Sequence, residues 1–321
     1  MDQRVLIMLA AYNGEKYIGK QIESIIAQDY TNWHLVIQDD GSKDNTASIV
    51  KEYCKKDNRI SYIVNETDKH GPFYNFHVLL NKTKNNNPDY DFYMYSDQDD
   101  IWLKNKLSIM IKEFKNKSLP QLVYADMQLM DENDNITNSS VNKVMGIQHT
   151  NNYRPFFAHK VYGCNLMMNK ILFQLVPPLD INHRYASNMS HDNLYVKFAA
   201  IYGNIIYIPT PTMNYRRHSS NYTVNQQYDF SLKKVINRIF GFSKLSDAHA
   251  NTYNQTLVAI EMMRSIGCTD KILDEIEQCI KKGGINGYKF IRTHKITWGT
   301  KMSNISRTAT MITGSYKKYL I

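Results

Sequence analysis

The chain has 321 residues, more than most single hydrophobic cores, which predicts one large α/β domain with a smaller appendage. Its hydrophobic content of 43% and its 23 tyrosines fit a folded protein. No apolar run approaches the roughly eighteen residues needed to cross a bilayer, and the apolar part of the first ten residues is too short for a signal peptide. The four cysteines lack Cys-x-x-Cys spacing, which argues against a disulfide framework or a zinc site. These features predict a cytoplasmic protein.

The net charge of +9 is unevenly placed along the chain. Residues 1–230 carry 24 basic and 24 acidic residues, whereas residues 231–321 carry 15 basic and 6 acidic residues. A basic tail of this kind suits an anionic membrane face or acceptor, a solvated helix surface, or nucleic acid.

The first hundred residues alternate strand-like and helix-like segments. Short apolar runs that end in turns predict strands, and apolar residues that repeat every three or four positions predict helices. The alternation predicts parallel strands with right-handed crossovers and a ligand crevice at their carboxyl ends. The predicted strands are 5–11, 33–37, 60–64 and 91–95, and the predicted helices are 15–28, 46–55 and 73–80.

Further elements are predicted after residue 100. The polar, poorly periodic segment 137–157 is expected to be a long loop that could cover a site. Beyond residue 225 the apolar spacing becomes helical, first from Leu232 to Ile239 and later from Leu257 to Met263, which predicts a small helical subdomain. The other predictions are helices at 103–114 and 194–200, strands at 121–130 and 204–208, and turns at 131–135 and 209–211.

Three carboxylates follow the predicted strand 91–95 within four positions, namely Asp97, Asp99 and Asp100. Their oxygens would lie over the carboxyl edge of the sheet, where ligands bind in open α/β folds. Clustered carboxylates raise each other's pKa unless a cation lies between them. The group is therefore either a solvated turn or a site for a hard divalent cation.

Four motifs occur in one order along the chain. They are Ala11-Tyr-Asn-Gly-Glu-Lys-Tyr17, Ser24-Ile-Ile-Ala-Gln28, Val36-Ile-Gln-Asp-Asp-Gly-Ser-Lys-Asp-Asn-Thr46 and Ser96-Asp-Gln-Asp-Asp-Ile-Trp-Leu103. Together they resemble the family 2 glycosyltransferases with the GT-A fold, over about residues 4–222. Within that family the sequence is most similar to bacterial rhamnosyltransferases of cell-surface polysaccharide assembly.

The resemblance implies an α/β GT-A fold, which is Rossmann-like with a mostly parallel central sheet flanked by helices, and a small C-terminal helical subdomain. The catalytic domain would span residues 1–225, with a nucleotide-sugar-binding half at 1–103 and an acceptor-binding half at 104–225. Residues 226–321 would form the basic helical subdomain.

On the donor side, the resemblance implies that Ala10, Tyr12 and Asn13 flank the nucleotide base and that Asn75 makes a polar contact. Asp39 or Asp40 would accept a hydrogen bond from the base N3–H, a suitable pairing because a carboxylate only accepts. The other interpretation of these two acids is a turn and helix cap.

The resemblance also implies a Mn²⁺ or Mg²⁺ cofactor bridging the two phosphates. Asp99 and His218 would bind the metal, and Asp97 would lie near the ribose. Asp100 would support the ligands, and Arg216 or its neighbour Arg217 would lie near phosphate or acceptor.

On the acceptor side, Asp192 would be the catalytic base, because an attacking hydroxyl must lose its proton as it bonds to the anomeric carbon. Asp192 could instead cap a helix, or do both. His191 stands where the family commonly has Glu, Gly163 begins an acceptor-side strand, and Trp102 either stacks on the acceptor sugar or packs.

The implied function is inverting, metal-dependent transfer of a sugar, with L-rhamnose from dTDP-rhamnose as the leading donor, to a hydroxyl of a growing, lipid-linked surface polysaccharide. The alternatives are a UDP-hexose donor (galactose, galactofuranose or glucose) and a non-catalytic glycan-assembly scaffold. Nucleotidyltransfer would need a Gly-rich phosphate loop, for which residues 12–16 are a poor substitute. Nucleic acid is not an expected partner, because the sheet edges are acidic. The basic tail would hold the enzyme at the inner face of the plasma membrane.

Overall fold

A computed structural model describes residues 3–86, 89–116, 118–148, 151–218 and 242–321. Contacts between residues divide the chain into two compact units. The first consists of Met1–Lys143 and Val161–His218, and the second of Val144–Lys160 and Ser219–Ile321. The domain boundary predicted at residue 225 and the apolar spacing from Leu232 to Ile239 lie outside the described residues.

The first unit is built around one mixed sheet. Across the sheet the strand order is β3-β2-β1-β4-β8-β6-β9-β5, with β7 beside β6. The strands are β1 (Val5–Ala11), β2 (Trp33–Asp39), β3 (Ile60–Val64), β4 (Phe92–Ser96), β5 (Ile101–Trp102), β6 (Gln121–Met130), β7 (Ile136–Asn138), β8 (Leu166–Asn169) and β9 (Asn204–Arg216). Strands β3, β2, β1 and β4 are parallel, and β6 is parallel to β9. Strand β8 is antiparallel to β4 and β6. The predicted α/β class is confirmed.

Helices connect the strands of this sheet, and their apolar faces follow the predicted periods. In α1 the side chains of Ile18, Ile22 and Ile25 are fully buried, because steps of three and four residues keep them on one side of the helix. The helices before residue 203 are α1 (Ile18–Ile26), α2 (Thr46–Lys56), α3 (Pro72–Asn85), α4 (Lys106–Ile111), α5 (Val141–Met145), α6 (Lys170–Leu175) and α7 (His191–Tyr202).

Strand β9 is longer than the sequence predicts. The turn expected at 209–211 is wrong, because β9 continues through both prolines to Arg216. Its pairing with β6 changes register there: Ala125 is opposite Ile208, whereas the next residue, Asp126, is opposite Pro211. Proline has no N–H to give to a ladder, so an irregularity is where a strand tolerates it.

The segment 137–157 is not one long loop. It contains β7, α5 and a 3₁₀ turn at Arg154–Phe156, and from Val144 it packs with the second unit. The buried Arg154 donates from Nε to the Thr297 carbonyl at 2.8 Å, and the Trp298 indole N–H donates to the Phe157 carbonyl at 2.7 Å. A position over a site stays a prediction.

The second unit contains helices α8 (Phe242–Ser265), α9 (Lys271–Lys282), α10 (Gly284–Thr293) and α11 (Lys301–Thr313), followed by a 3₁₀ turn at Lys317–Tyr319. The predicted C-terminal helices are therefore confirmed. Within the described ranges, none of the helices combines the length and apolarity that a membrane crossing requires.

Candidate active site

The predicted donor-side residues lie at one edge of the sheet. Strands β1, β2 and β4 are parallel, and register places Ala11 opposite Asp39 and Leu9 opposite Ser96. The acidic loop after Ser96 therefore begins beside the turn that follows β1. Parallel strands end at the same edge, so the spatial grouping follows from the order of strands and turns.

Gln98 joins the acidic loop to the turn after β1. Its amide accepts from the Tyr12 N–H at 2.9 Å and donates to the Tyr12 carbonyl at 2.9 Å. A Cβ at Gly14 would lie 2.2 Å from the Gln98 Oε1, so only glycine fits there without a shift. Tyr12 itself is 53% exposed and Asn13 is exposed, which leaves both accessible for a ligand.

Asp39 and Asp40 are both buried and hold the loops around them. Asp39 accepts from the Ser42 N–H at 2.9 Å and from the Tyr62 hydroxyl at 2.8 Å. Asp40 accepts from the Asn65 amide at 2.6 Å and the Gly71 N–H at 2.7 Å. A carboxylate offers about four acceptor sites, so contact with a base remains compatible with these bonds.

Asp97 and Asp100 form a compact group with Cys164, in which one ligand atom from each lies within 4.8 Å of the others. Burial and the charge of Asp99 raise the pKa of both Asp97 and Asp100. In the part of the chain that the structure describes, the buried Asp100 Oδ2 has no hydrogen-bond partner. Acidic oxygens in this state favour a bound cation.

A second pair of potential ligands joins this loop to the end of β9. The His218 Nε2 is 2.7 Å from the Asp99 Oδ2, so the structure brings the two predicted metal ligands together. The Tyr17 ring packs beside His218, with ring centroids 5.0 Å apart. Tyr17 belongs to the first motif, and its contact with His218 helps to hold the end of β9 next to the acidic loop.

These donors fit a hard divalent cation. Mg²⁺ and Mn²⁺ prefer carboxylate oxygens, with imidazole acceptable to Mn²⁺. Burial raises the pKa of the Cys164 thiol well above its ordinary value, so this sulfur is neutral and a poor ligand for either ion. By donor chemistry, the carboxylates of the acidic loop and the His218 imidazole therefore suit such an ion better than Cys164 does.

A buried ammonium lies behind the acids. Lys106 has no exposed surface, and its Nζ donates to the Cys164 carbonyl at 2.8 Å and to the Asn165 Oδ1 at 3.1 Å. Burial lowers the pKa of Lys106 to about 8, while the charges of Asp100 and Asp97 act in the opposite direction. Lys106 thus partly balances the carboxylates from the protein side.

The predicted contact of Arg216 with phosphate or acceptor does not agree with the buried position of its side chain. This side chain has no exposed surface, its Nε donates to the Asp99 carbonyl at 2.7 Å, and its Nη1 pairs with the Asp134 carboxylate. Its own N–H donates to the Asp100 Oδ1 at 3.0 Å. Arg216 therefore positions the acidic loop from behind.

Asp192 lies in the first turn of α7, where it is held by three donors. Its Oδ2 accepts from the Gly163 N–H at 2.8 Å, and its Oδ1 accepts from the Asn193 N–H at 2.6 Å and from the Ser190 hydroxyl. Gly163 is also the neighbour of Cys164, whose ligand atom lies within 4.8 Å of those of Asp97 and Asp100, so one short segment contacts both Asp192 and the acidic loop. The N-cap of α7 is Ser190, so Asp192 lies inside the first turn and is not the cap itself, and its role as the base stays a prediction.

Four residues predicted to contact the substrates are buried in the structure, three on the acceptor side and one on the donor side. Trp102 is 3% exposed and lies 4.4 Å below the Lys106 ammonium, so it packs and does not stack on a sugar. His191 packs between aromatic rings, and the buried Gly163 lies against it. Asn75, 2% exposed, donates from its amide to the carbonyls of Ala11 in β1 and Gln38 in β2, so it positions these strands.

Sequence reasoning missed Gln98, Lys106 and Cys164. Gln98 stands between the acids, and its position inside the motif was an available signal. Lys106 is a polar residue in a predicted helix, a pattern that normally means exposure. Cys164 has no metal-ligand spacing in the sequence, and only the pairing of β8 with β4 brings its loop to the acids.

Comparisons with known proteins agree with this arrangement. A family model described as glycosyl transferase family 2 matches residues 6–174, more than half of the chain. The dTDP-rhamnosyl transferase RfbG of Shigella flexneri is 31% identical over 219 residues, which cover 66% of this chain and 72% of that protein.

Two solved structures have a similar fold. TarS 1-349 of S. aureus in complex with UDP-GlcNAc gives a TM-score of 0.57 at 16% identity, covering 99% of this chain and 82% of that chain. The mannosyltransferase PcManGT of Pyrobaculum calidifontis, in complex with GDP-Man and Mn2+, gives 0.54 at 15% identity, covering 97% and 88%. The predicted GT-A fold is confirmed. From the family match and the Shigella flexneri relative, the chain belongs to glycosyl transferase family 2 and is a glycosyltransferase.

Proposed function

We propose that this enzyme is an inverting, metal-dependent glycosyltransferase that moves L-rhamnose from dTDP-rhamnose to a hydroxyl of a growing, lipid-linked surface polysaccharide. The observation that carries the proposal is that the acidic loop and Asp192 both contact the segment Gly163–Cys164. The loop with Asp97, Asp99 and Asp100 supplies oxygen ligands, the Cys164 thiol lies within 4.8 Å of ligand atoms of Asp97 and Asp100, and Asp192 accepts from the Gly163 N–H.

Asp192 would take the proton from the attacking hydroxyl. Its Oδ2 already accepts one backbone N–H, from Gly163 at 2.8 Å, which fixes the carboxylate while leaving further acceptor capacity. A bound Mg²⁺ or Mn²⁺ would stabilise the charge that gathers on the departing diphosphate. One base and a single displacement invert the anomeric centre.

The residues that would hold the metal are Asp99 and His218, with Asp97 and Asp100 beside them. The 2.7 Å contact between Asp99 and His218 supports this choice, because both donors already face each other. The Asp100 Oδ2, which has no hydrogen-bond partner among the described residues, also supports this choice. Arg216 keeps the loop in place through the Asp99 carbonyl.

The donor proposal rests on likeness to the Shigella flexneri relative, whose name states dTDP-rhamnosyl transfer. A UDP-hexose donor is the alternative, and a neighbour in fold that binds UDP-GlcNAc keeps it open. At the strand ends, Ala10, Tyr12 and Asn13 would lie against the base, and Asp39 or Asp40 would accept from its imide N–H.

The acceptor and the location are also part of the proposal. A lipid-linked glycan would bring the enzyme to the inner face of the plasma membrane, with the basic C-terminal residues as the attachment. A scaffold without activity is the second candidate function, and it predicts no turnover with any donor.

The test is a binding and donor-hydrolysis screen of the full chain against dTDP-rhamnose, UDP-galactose, UDP-glucose and GDP-mannose, with Mn²⁺, Mg²⁺ or chelator. We expect metal-dependent turnover of one donor. Asp192→Asn should bind that donor normally but lose about 10²- to 10⁴-fold in turnover. Asp99→Ala should lose metal-dependent donor binding. The control is Asp89→Asn, an exposed acid paired with Lys170 near the start of β4.

Metal-dependent hydrolysis of a UDP-hexose alone would replace rhamnose by that sugar. If none of these donors binds with or without metal, the result favours the scaffold function. If Asp192→Asn retains full turnover, another residue is the base.

A further inference from the structure

The positive charge of the chain is concentrated in its last 44 residues. Residues 278–321 contain no Asp or Glu, whereas residues 231–277 hold equal numbers of acidic and basic residues. The net charge of +9 therefore arises entirely from this final segment, whose basic residues are Lys281, Lys282, Lys289, Arg292, Lys295, Lys301, Arg307, Lys317 and Lys318.

These cations are available at the surface of the second unit. All of them are exposed except Arg307, which is half-buried. They lie on the end of α9, on α10 and α11, on the connection between these two helices (Lys295), and on the 3₁₀ turn after α11. The nearest acids along the chain, such as Glu277, are engaged with Lys281 and Arg264. The final segment thus presents a charge of one sign that its own sequence does not neutralise.

Apolar side chains project from the same helices. Met302, Ile305 and Ile312 of α11 are 40%, 67% and 44% exposed, and Ile285 of α10 is 69% exposed. The three residues of α11 are separated by three and seven positions, so the helical period places them on one side. The opposite side of α11 is packed, since Met311 is fully buried.

Glycine contacts confirm which side faces the interior. A Cβ at Gly287 would lie 2.5 Å from the Met311 sulfur, and Thr310 contacts His249 through its hydroxyl at 2.5 Å. The core of the unit therefore takes Thr310 and Met311, and it leaves the apolar stripe of α11 outside. Lys301 precedes Met302 at the start of this stripe, and Ile285, Lys289 and Arg292 are four and three positions apart on α10, so they share one side of that helix. Exposed apolar and basic side chains together are the composition of helices that lie in a membrane interface.

We propose that α10, α11 and the turn Lys317–Tyr319 form a docking surface for the anionic leaflet of a lipid bilayer. The exposed cations meet lipid phosphates, and the side chains of Met302, Ile305 and Ile312 enter the acyl boundary. A second copy of this surface is excluded by repulsion between like charges. Nucleic acid would neutralise the positive charge of this surface but would leave its exposed isoleucines in water.

This inference gives a surface to the membrane contact that belongs to the proposed function, but it does not depend on the donor sugar. The test uses the full chain and sedimentation with vesicles of phosphatidylcholine alone or mixed with phosphatidylglycerol. Binding should need phosphatidylglycerol and should weaken with salt. Each cation of α10 that is removed, by Lys289→Gln or Arg292→Gln, should lower the partition coefficient by about fivefold.

The apolar stripe needs its own variant. Ile305→Ser should lower the binding to phosphatidylglycerol vesicles by about tenfold or more, because a buried side chain of this size is worth about 1.5–3 kcal/mol. The matched controls are Ile136→Ser, an exposed isoleucine of β7, and Lys43→Gln, an exposed lysine of the first unit. Neither should change vesicle binding.

Donor hydrolysis in solution separates the two proposals. It should be the same in Ile305→Ser and Lys289→Gln as in the unchanged chain, which also verifies that these variants are folded. Binding that is equal on both kinds of vesicle, or that is lost equally in the controls, would overturn the docking surface. So would displacement by single-stranded DNA combined with no effect of Ile305→Ser.

Discussion

Gly163→Ala tests how the candidate base is held. An added Cβ would lie 2.4 Å from the His191 Nε2, whereas atoms of this kind normally approach to about 3.5 Å. The two residues must therefore separate by about 1 Å. The His191 ring is poorly placed to give way, because its centroid lies 3.9 Å from that of Phe76 and 4.3 Å from that of Tyr95.

The backbone of Gly163 must then move, and with it the N–H that donates to Asp192. The φ of Gly163 lies outside the left-handed region, so the cost is steric and is not backbone strain. Overpacking of this size costs about 1–3 kcal/mol in the free energy of unfolding. Because the hydrogen bond to Asp192 is also disturbed, we expect turnover to fall by at least tenfold while the donor KM changes little.

The measurement is urea-induced unfolding together with donor turnover for Gly163→Ala, His191→Ala and the double variant. Removing the imidazole opens the space, so the two changes should be non-additive by about 1–2 kcal/mol. Gly19→Ala is the matched control: its Cβ would lie 3.6 Å from the Tyr53 hydroxyl, an ordinary contact, and alanine suits a helix interior. If Gly163→Ala is as stable and active as Gly19→Ala, the steric reasoning is wrong.

Three further predictions concern the supports of the site. Arg216→Met should destabilise the protein by about 3–5 kcal/mol, because it leaves buried acceptors unpaired. Lys20→Met removes an exposed partner of the same Asp134 and should cost less than about 1 kcal/mol. Equal losses of stability in urea unfolding would contradict the positioning role of Arg216. Trp102→Phe should lower stability while leaving acceptor KM unchanged, since the ring packs under Lys106, and a selective rise in acceptor KM would restore the stacking interpretation. Burial lowers the pKa of His77 to about 4 in the folded protein. As pH falls, His77 is therefore protonated in the unfolded chain at a higher pH than in the folded protein, which favours unfolding. The free energy of unfolding should therefore drop by up to about 3 kcal/mol between pH 6.5 and 4, and His77→Gln should lose this part of the pH dependence in an unfolding series.

Much of the fold was readable from local pattern. The apolar run 5–11 and the period of Ile18, Ile22 and Ile25 gave β1 and the buried face of α1, because a central strand and an amphipathic helix each need their own spacing. The acids after β4 lie at the predicted edge, since parallel strands bring their carboxyl ends together. The prediction of a turn at 209–211 is wrong because a register change in the sheet accommodates both prolines within β9.

The sequence by itself determined the order of strands and helices in the first hundred residues, the family, the acidic loop and the placement of all the excess charge after residue 277. Only the tertiary structure decided that Arg216 supports the loop from inside, that Trp102 is covered, and that Cys164 and Lys106 lie against the acids. The physical reason is that spacing along the chain reports which face of one element is buried. Which distant residues share a buried space depends on strand order and register, here the insertion of β8 between β4 and β6, and these are settled only when the elements pack.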